Sequence, residues 1–134
     1  MSAETVFLTR VVTLGAAGAL FAIYAGLAVW MGRPDPLPLW LPMLAAMLAF
    51  LLICLASLVA GRRATEQAFD EGYLTDERRA QCVGFWGAVA LYPAFALLLW
   101  WEVVTFPVTF AAMGSLTAAS YLLTLVWFDV RGRF

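Results

Sequence analysis

The stretch VVTLGAAGALFAIYAGLAVWM, residues 11–31, contains no charged side chain. A membrane-spanning helix needs about 20 mostly apolar residues, because each helical residue advances about 1.5 Å through a hydrocarbon core about 30 Å thick. The stretch is longer than the apolar part of a secretory signal peptide, lacks a strongly basic flank, and is followed by further apolar segments. We therefore predict that it is a retained transmembrane helix.

Three further segments have the same apolar character and are predicted to span the membrane: residues 39–60, 80–101 and 106–128. The first connection, GRPDPLP (32–38), carries three prolines and cannot continue a helix. Only residues 102–105 join the last two spans, which predicts a tight antiparallel turn. The expected fold is an all-α integral membrane four-helix bundle that forms a single domain over residues 1–134.

The composition independently favours a membrane protein. Of the 134 residues, 64% are hydrophobic and 13% are charged, against about 45–50% and about 25% in average globular chains. A soluble domain with this surplus could not cover its surface with polar groups, so lipid is the expected solvent. The net charge of −1 provides no basic surface for phosphates, and we expect no nucleic-acid partner.

The arginines predict the orientation. With four spans, both termini share one side of the membrane with the connection between the second and third spans. That side holds seven of the eight arginines: Arg10, Arg62, Arg63, Arg78, Arg79, Arg131 and Arg133. The positive-inside rule then places both termini in the cytoplasm. All basic residues are Arg and there is no His, a composition that we interpret as that of a bacterial inner-membrane protein.

Tryptophans agree with this arrangement, since indole rings prefer the level of the lipid headgroups. All six lie near predicted helix ends: Trp30, Trp40, Trp86, Trp100, Trp101 and Trp127.

The chain offers little catalytic chemistry. None of the four predicted spans contains Asp, Glu, Lys, Arg or His, the groups on which proton relays and ion pathways depend. Without His or Lys, no Ser or Cys can be paired with the usual activating base. We therefore predict no enzymatic activity, no metal and no cofactor.

Small residues on the first span form a candidate contact face. Gly15, Ala19, Ala22 and Gly26 recur at spacings of four, three and four. In lipid, helices associate where small side chains let their backbones approach closely. The face serves either packing within the monomer or contact with another membrane subunit, and a second small face, Gly18, Ala22 and Ala25, favours an outside partner.

The longest polar stretch, RRATEQAFDEGYLTDERRAQ (62–81), joins the second and third spans. Its terminal arginines are expected to hold the orientation at the headgroups. We predict that the helix of the second span continues through about Glu71 and stops at Gly72, and that a second helix, capped by Thr75, follows. This hairpin, residues 62–79, is either a membrane-lying connector or a docking surface with these candidate residues: Phe69, Asp70, Glu71, Tyr73, Leu74, Asp76 and Glu77.

The resulting functional hypothesis is a non-catalytic accessory or assembly subunit of a larger membrane complex. Its expected partners are membrane lipids and other membrane subunits, or copies of itself. The alternative is a small homo-oligomeric transporter or channel for an uncharged or hydrophobic solute. In that case a kink at Pro93, inside the third span, would line the path.

Overall fold

The computed structural model describes residues 2–38 and 40–132. Its helices are α1 (Ala3–Met31), α2 (Trp40–Ala60), α3 (Arg62–Ala68), α4 (Glu71–Trp100) and α5 (Phe106–Arg131), and the described residues include no strand. All but α3 are long and apolar enough to cross a membrane. The predicted start of the second span at Leu39, and Arg133 of the orientation argument, lie outside the described residues.

On the side of the molecule opposite α3, the helices end at turns that residues next to them in the sequence form. Gly32 adopts φ 63° and closes α1, with its N–H directed at the carbonyls of the last turn. The Tyr24 hydroxyl donates a 2.8 Å hydrogen bond to the Pro34 carbonyl, which fastens the proline-rich connection to α1. Glu102 occupies the left-handed region at φ 55°, a conformation that a non-glycine residue adopts at a cost. Residues 102–105 form the predicted tight turn.

The predicted hairpin between the second and third spans is wrong in its boundaries. The second span does not continue to Glu71, because Gly61 at φ 81° separates α2 from the short α3. Gly72 does not stop a helix and Thr75 does not cap one, since both lie inside α4. The N-cap is Asp70, whose Oδ1 accepts a 3.0 Å hydrogen bond from the Tyr73 N–H.

Two ion pairs lie in this segment. Glu66 pairs with Arg62 at 2.8 Å, one helical turn away. Asp76 and Arg79 approach to 3.7 Å. Both pairs are exposed or partly exposed, and such pairs add at most about 1 kcal/mol to stability.

The long helices contact one another in the order α2, α1, α5, α4. Helix α1 packs against both α2 and α5, while α4 packs against α5 on its far side. Helix α2 packs mainly against α1 and the short α3, which lies across the ends of both. Because α2 makes at most slight contact with α4 or α5, a space remains between α2 and α5.

Small residues set the closest helix contacts. A Cβ added at Gly18 of α1 would lie 3.0 Å from the Leu123 side chain of α5, and one at Gly84 of α4 would lie 3.2 Å from the Tyr121 Cβ. An apolar core on the side of the molecule away from α3 contains Ala25, Phe95 and Val108. Much of the small-residue content therefore serves packing within the monomer.

Candidate interaction site: a buried arginine beside an open apolar groove

Arg10 is the most deeply buried charged side chain in the described part of the chain, at 2% exposure. Its Nε donates to Oδ2 of Asp129 at 2.9 Å, and its Nη2 donates to Oδ1 of the same carboxylate at 2.8 Å. Nη1 donates to the Ala68 carbonyl, also at 2.8 Å. One guanidinium therefore joins α1, α5 and the end of α3.

Aromatic rings enclose the remaining faces of this guanidinium. Its Cζ atom lies 4.0 Å from the centre of the Tyr73 ring, 4.8 Å from that of Phe69 and 5.9 Å from that of Phe7. Phe69 and Tyr73 also contact each other edge to face, with their centres 5.1 Å apart. Cations are attracted to ring faces within about 6 Å, more strongly where water is excluded.

The local sequence explains how these groups converge. Helix α3 ends at Ala68, so its last carbonyls lack partners within the helix, and Arg10 satisfies one of them. The chain then turns within Phe69 and Asp70, and Asp70 starts α4 one turn before Tyr73. This short reversal directs both rings towards Arg10.

A groove lies between α2 and α5, with α1 as its floor and α3 across one end; we call it the α2–α5 groove. Its volume is about 970 Å³. The apolar part is lined by residues of three helices, including Leu14, Ala17, Ala46, Phe50, Ile53 and Leu125. Ligand pockets for drug-sized molecules usually measure about 300–1,000 Å³, so the groove can hold a sizeable apolar group.

Charged side chains line the groove at its α3 end. They are Arg10, Arg62, Glu66 and Glu77. Arg10 is already occupied by Asp129 and Ala68, whereas the side chain of Arg62 is 91% exposed and uses Nε alone in its bond to Glu66. Glu77 has no ion-pair partner among residues 2–38 and 40–132.

The predicted docking residues of the hairpin do not share one surface, because some face inward and others face outward. Phe69 and Tyr73 turn inward onto Arg10, and Glu77 lines the groove. Asp76 is half-buried beside Arg79. The others face outward: Asp70, Glu71 and Leu74 are exposed. Packing around Arg10 thus accounts for two of the three large apolar side chains in this hairpin.

The candidate face on α1 is also divided. Gly15 and Ala22 are half-buried, while Ala19 and Gly26 are exposed. A Cβ added at Gly26 would meet nothing within 4 Å, whereas one at Gly15 would contact Val126 of α5. The structure therefore leaves the Ala19–Gly26 side of α1 without a neighbour among the described residues.

Sequence reasoning missed the pairing of Arg10 with Asp129. The two residues immediately flank the first and last predicted spans, where Arg10 was counted only as an orientation signal. The sequence did contain a usable signal for this pairing. Arg10 and Asp129 carry opposite charges and flank two spans at the same side of the membrane, so they lie at similar depth.

Pro93, proposed to line a solute path, is exposed and is not among the residues that line the groove.

The described residues thus form an all-helical fold with four helices able to cross a membrane. Within the described ranges, no group of three or more His, Cys, Asp or Glu side chains could hold a metal ion. No protein-family model matches the chain, and no curated protein or solved structure shows significant similarity to it.

Proposed function

We propose that the protein is a non-catalytic accessory or assembly subunit of a larger membrane complex, and that it docks its partner along the exposed side of α1. The observation that carries this proposal is the open position of Gly26, which has no atom within 4 Å of an added Cβ. Ala19, two turns away, is exposed as well. Small residues that face out of a membrane domain let another helix approach closely.

The Arg10 site supports the same proposal as a stabilising element. A buried guanidinium that binds α5 and α3 holds α1 in one position, so the exposed side of α1 is presented rigidly. The hairpin adds a second candidate contact on the α3 side, through the exposed residues Asp70, Glu71 and Leu74.

The proposal includes a four-helix bundle topology with both termini in the cytoplasm of a bacterial cell. The orientation is supported by the distribution of arginines, of which Arg33 alone falls on the opposite side. The exposed Arg62, Arg63, Arg78 and Arg79 then lie where anionic headgroups can bind them.

The alternative, a homo-oligomeric transporter or channel for an apolar solute, has one observation in its favour, the volume of the α2–α5 groove. Its expected path at Pro93 is not part of that groove. Purification in mild detergent with quantitative mass spectrometry separates the two proposals. Stoichiometric foreign subunits support the accessory role, and a homogeneous self-assembly contradicts it.

A further inference from the structure

The α2–α5 groove has the length of a single lipid leaflet. Its lining on α2 runs from Ala46 to Leu58, a rise of about 18 Å at 1.5 Å per residue. Half of a hydrocarbon core about 30 Å thick is about 15 Å. The groove reaches the side of the molecule that carries α3, where Arg62 and Thr65 line it.

Its volume admits hydrocarbon chains. A volume of about 970 Å³ spread over that length corresponds to a cross-section of roughly 54 Å². Carbon atoms in contact are 3.5–4.0 Å apart, so an extended hydrocarbon chain is about 4–5 Å across. Two such chains fit side by side.

The polarity of the groove changes along its length. The residues towards the membrane centre are apolar, among them Ala46, Phe50 and Ile53, and the charged residues are confined to the end near α3. A ligand that matches this distribution has apolar chains and a charged headgroup.

The charges at the α3 end select the headgroup. The partly buried carboxylate of Glu77 has no cationic partner among the described residues, so it is available to bind an ammonium group. The Nη groups of Arg62 have no hydrogen-bond acceptor in the same part of the chain, and guanidinium groups bind phosphate well. A phosphate and an ammonium group in one headgroup satisfy both side chains.

We propose that the α2–α5 groove binds one zwitterionic phospholipid from the leaflet on the α3 side. Its acyl chains lie against α1 and α2, its phosphate binds Arg62, and its ammonium group binds Glu77. This inference does not rest on the proposed function, because Ala19 and Gly26 do not line the groove. A lipid can occupy the groove whether or not a partner docks on α1.

The test uses the full-length protein, purified in detergent and mixed with equimolar phosphatidylethanolamine and phosphatidylglycerol that carry the same acyl chains. Native mass spectrometry then counts the lipids retained by each chain. We expect one retained phosphatidylethanolamine per chain. Glu77→Gln should lower its preference over phosphatidylglycerol about tenfold, since a charge-assisted hydrogen bond is lost.

Two variants serve as controls. Glu71→Gln removes an exposed acid of the same helix that does not line the groove, and it should keep the wild-type preference. Glu77→Asp keeps the carboxylate and should retain most of it, which separates a loss of charge from a loss of fold. Equal retention of both lipids by the wild type, no retained lipid, or equal effects of Glu71→Gln and Glu77→Gln would overturn the proposal. Cross-linking of a foreign protein to Cys54 inside the groove would also overturn it.

Discussion

Arg10 and Asp129 stand 119 positions apart in the chain and form a buried ion pair in which two guanidinium nitrogens bind two carboxylate oxygens. The pair connects the first and last long helices at the α3 side. Because Nη1 of the same guanidinium also binds the Ala68 carbonyl, the contact holds α3 in place as well. This arrangement joins four helices when the Tyr73 ring of α4 is included.

Replacing one residue of the ion pair should destabilise the protein much more than replacing both. Arg10→Met or Asp129→Leu alone removes one member of the buried ion pair while the other charge stays buried, and each should lower the free energy of unfolding by about 3–5 kcal/mol. The double variant should lose less than the sum of the two, because both charges of the pair are then absent. Thermal or denaturant unfolding in detergent measures the cycle, and strictly additive losses would contradict a direct pair.

Reversal of the pair should not restore stability. In Arg10→Asp with Asp129→Arg, the new carboxylate would face the Ala68 carbonyl oxygen and the faces of Phe69 and Tyr73, all of which favour a cation. We expect the reversed variant to unfold as readily as the single variants. Recovery to the wild-type midpoint would mean that the rings and the carbonyl contribute little.

Gly18 and Gly26, on the same helix, should respond oppositely to an added methyl group. Gly18→Ala would bring a Cβ to 3.0 Å from Leu123, and overpacking of this kind costs about 1–3 kcal/mol. Gly26→Ala meets no atom within 4 Å and should leave the unfolding midpoint unchanged or slightly raised, since alanine favours helix. Equal losses at both positions would contradict the helix packing described above.

The start of α4 should depend on the Asp70 side chain. Asp70→Ala removes the acceptor of the Tyr73 N–H and should cost about 1 kcal/mol, the usual value of an N-cap. Asp70→Asn keeps an oxygen at the same place and serves as the matched control. Equal unfolding midpoints for all three proteins, measured by circular dichroism in detergent, would argue against a capping role.

The predicted orientation can be measured with reporter fusions. A reporter that is active only in the cytoplasm should be active when fused after Gly132 and inactive when placed in the connection near Asp35. The physical reason is the concentration of arginines on the α3 side. Activity at Asp35 alone would invert the topology, and with it the assignment of the hairpin to the cytoplasm.

The four long helices were predictable because apolar length is a strong and local signal. The hairpin was not, since its boundaries depend on tertiary contacts. Gly72 and Thr75 have local preferences for a helix stop and an N-cap, yet Asp70 supplies a cap earlier, and the chain turns there so that Phe69 and Tyr73 reach Arg10. Where several residues close together could cap a helix, tertiary packing determines which of them does, and a single sequence does not show that packing.

The similar depth of Arg10 and Asp129 could be predicted from the spans that they flank, but their burial could not, for a related reason. Charges next to a span are normally exposed to water or headgroups, and only the contact of α1 with α5 buries these two. The open groove is likewise a consequence of helix order, because each helix taken alone is apolar on most of its surface.

The most direct test of the central claim is a comparison of two affinity purifications in mild detergent, quantified by mass spectrometry. One uses Gly26→Leu on the exposed side of α1. The other uses Gly114→Leu on α5, where an added Cβ also meets no atom within 4 Å. We predict that wild type and Gly114→Leu retain the same stoichiometric foreign membrane subunits and that Gly26→Leu loses most of them. Equal retention by both variants, or a wild type that purifies only with copies of itself, would contradict the account.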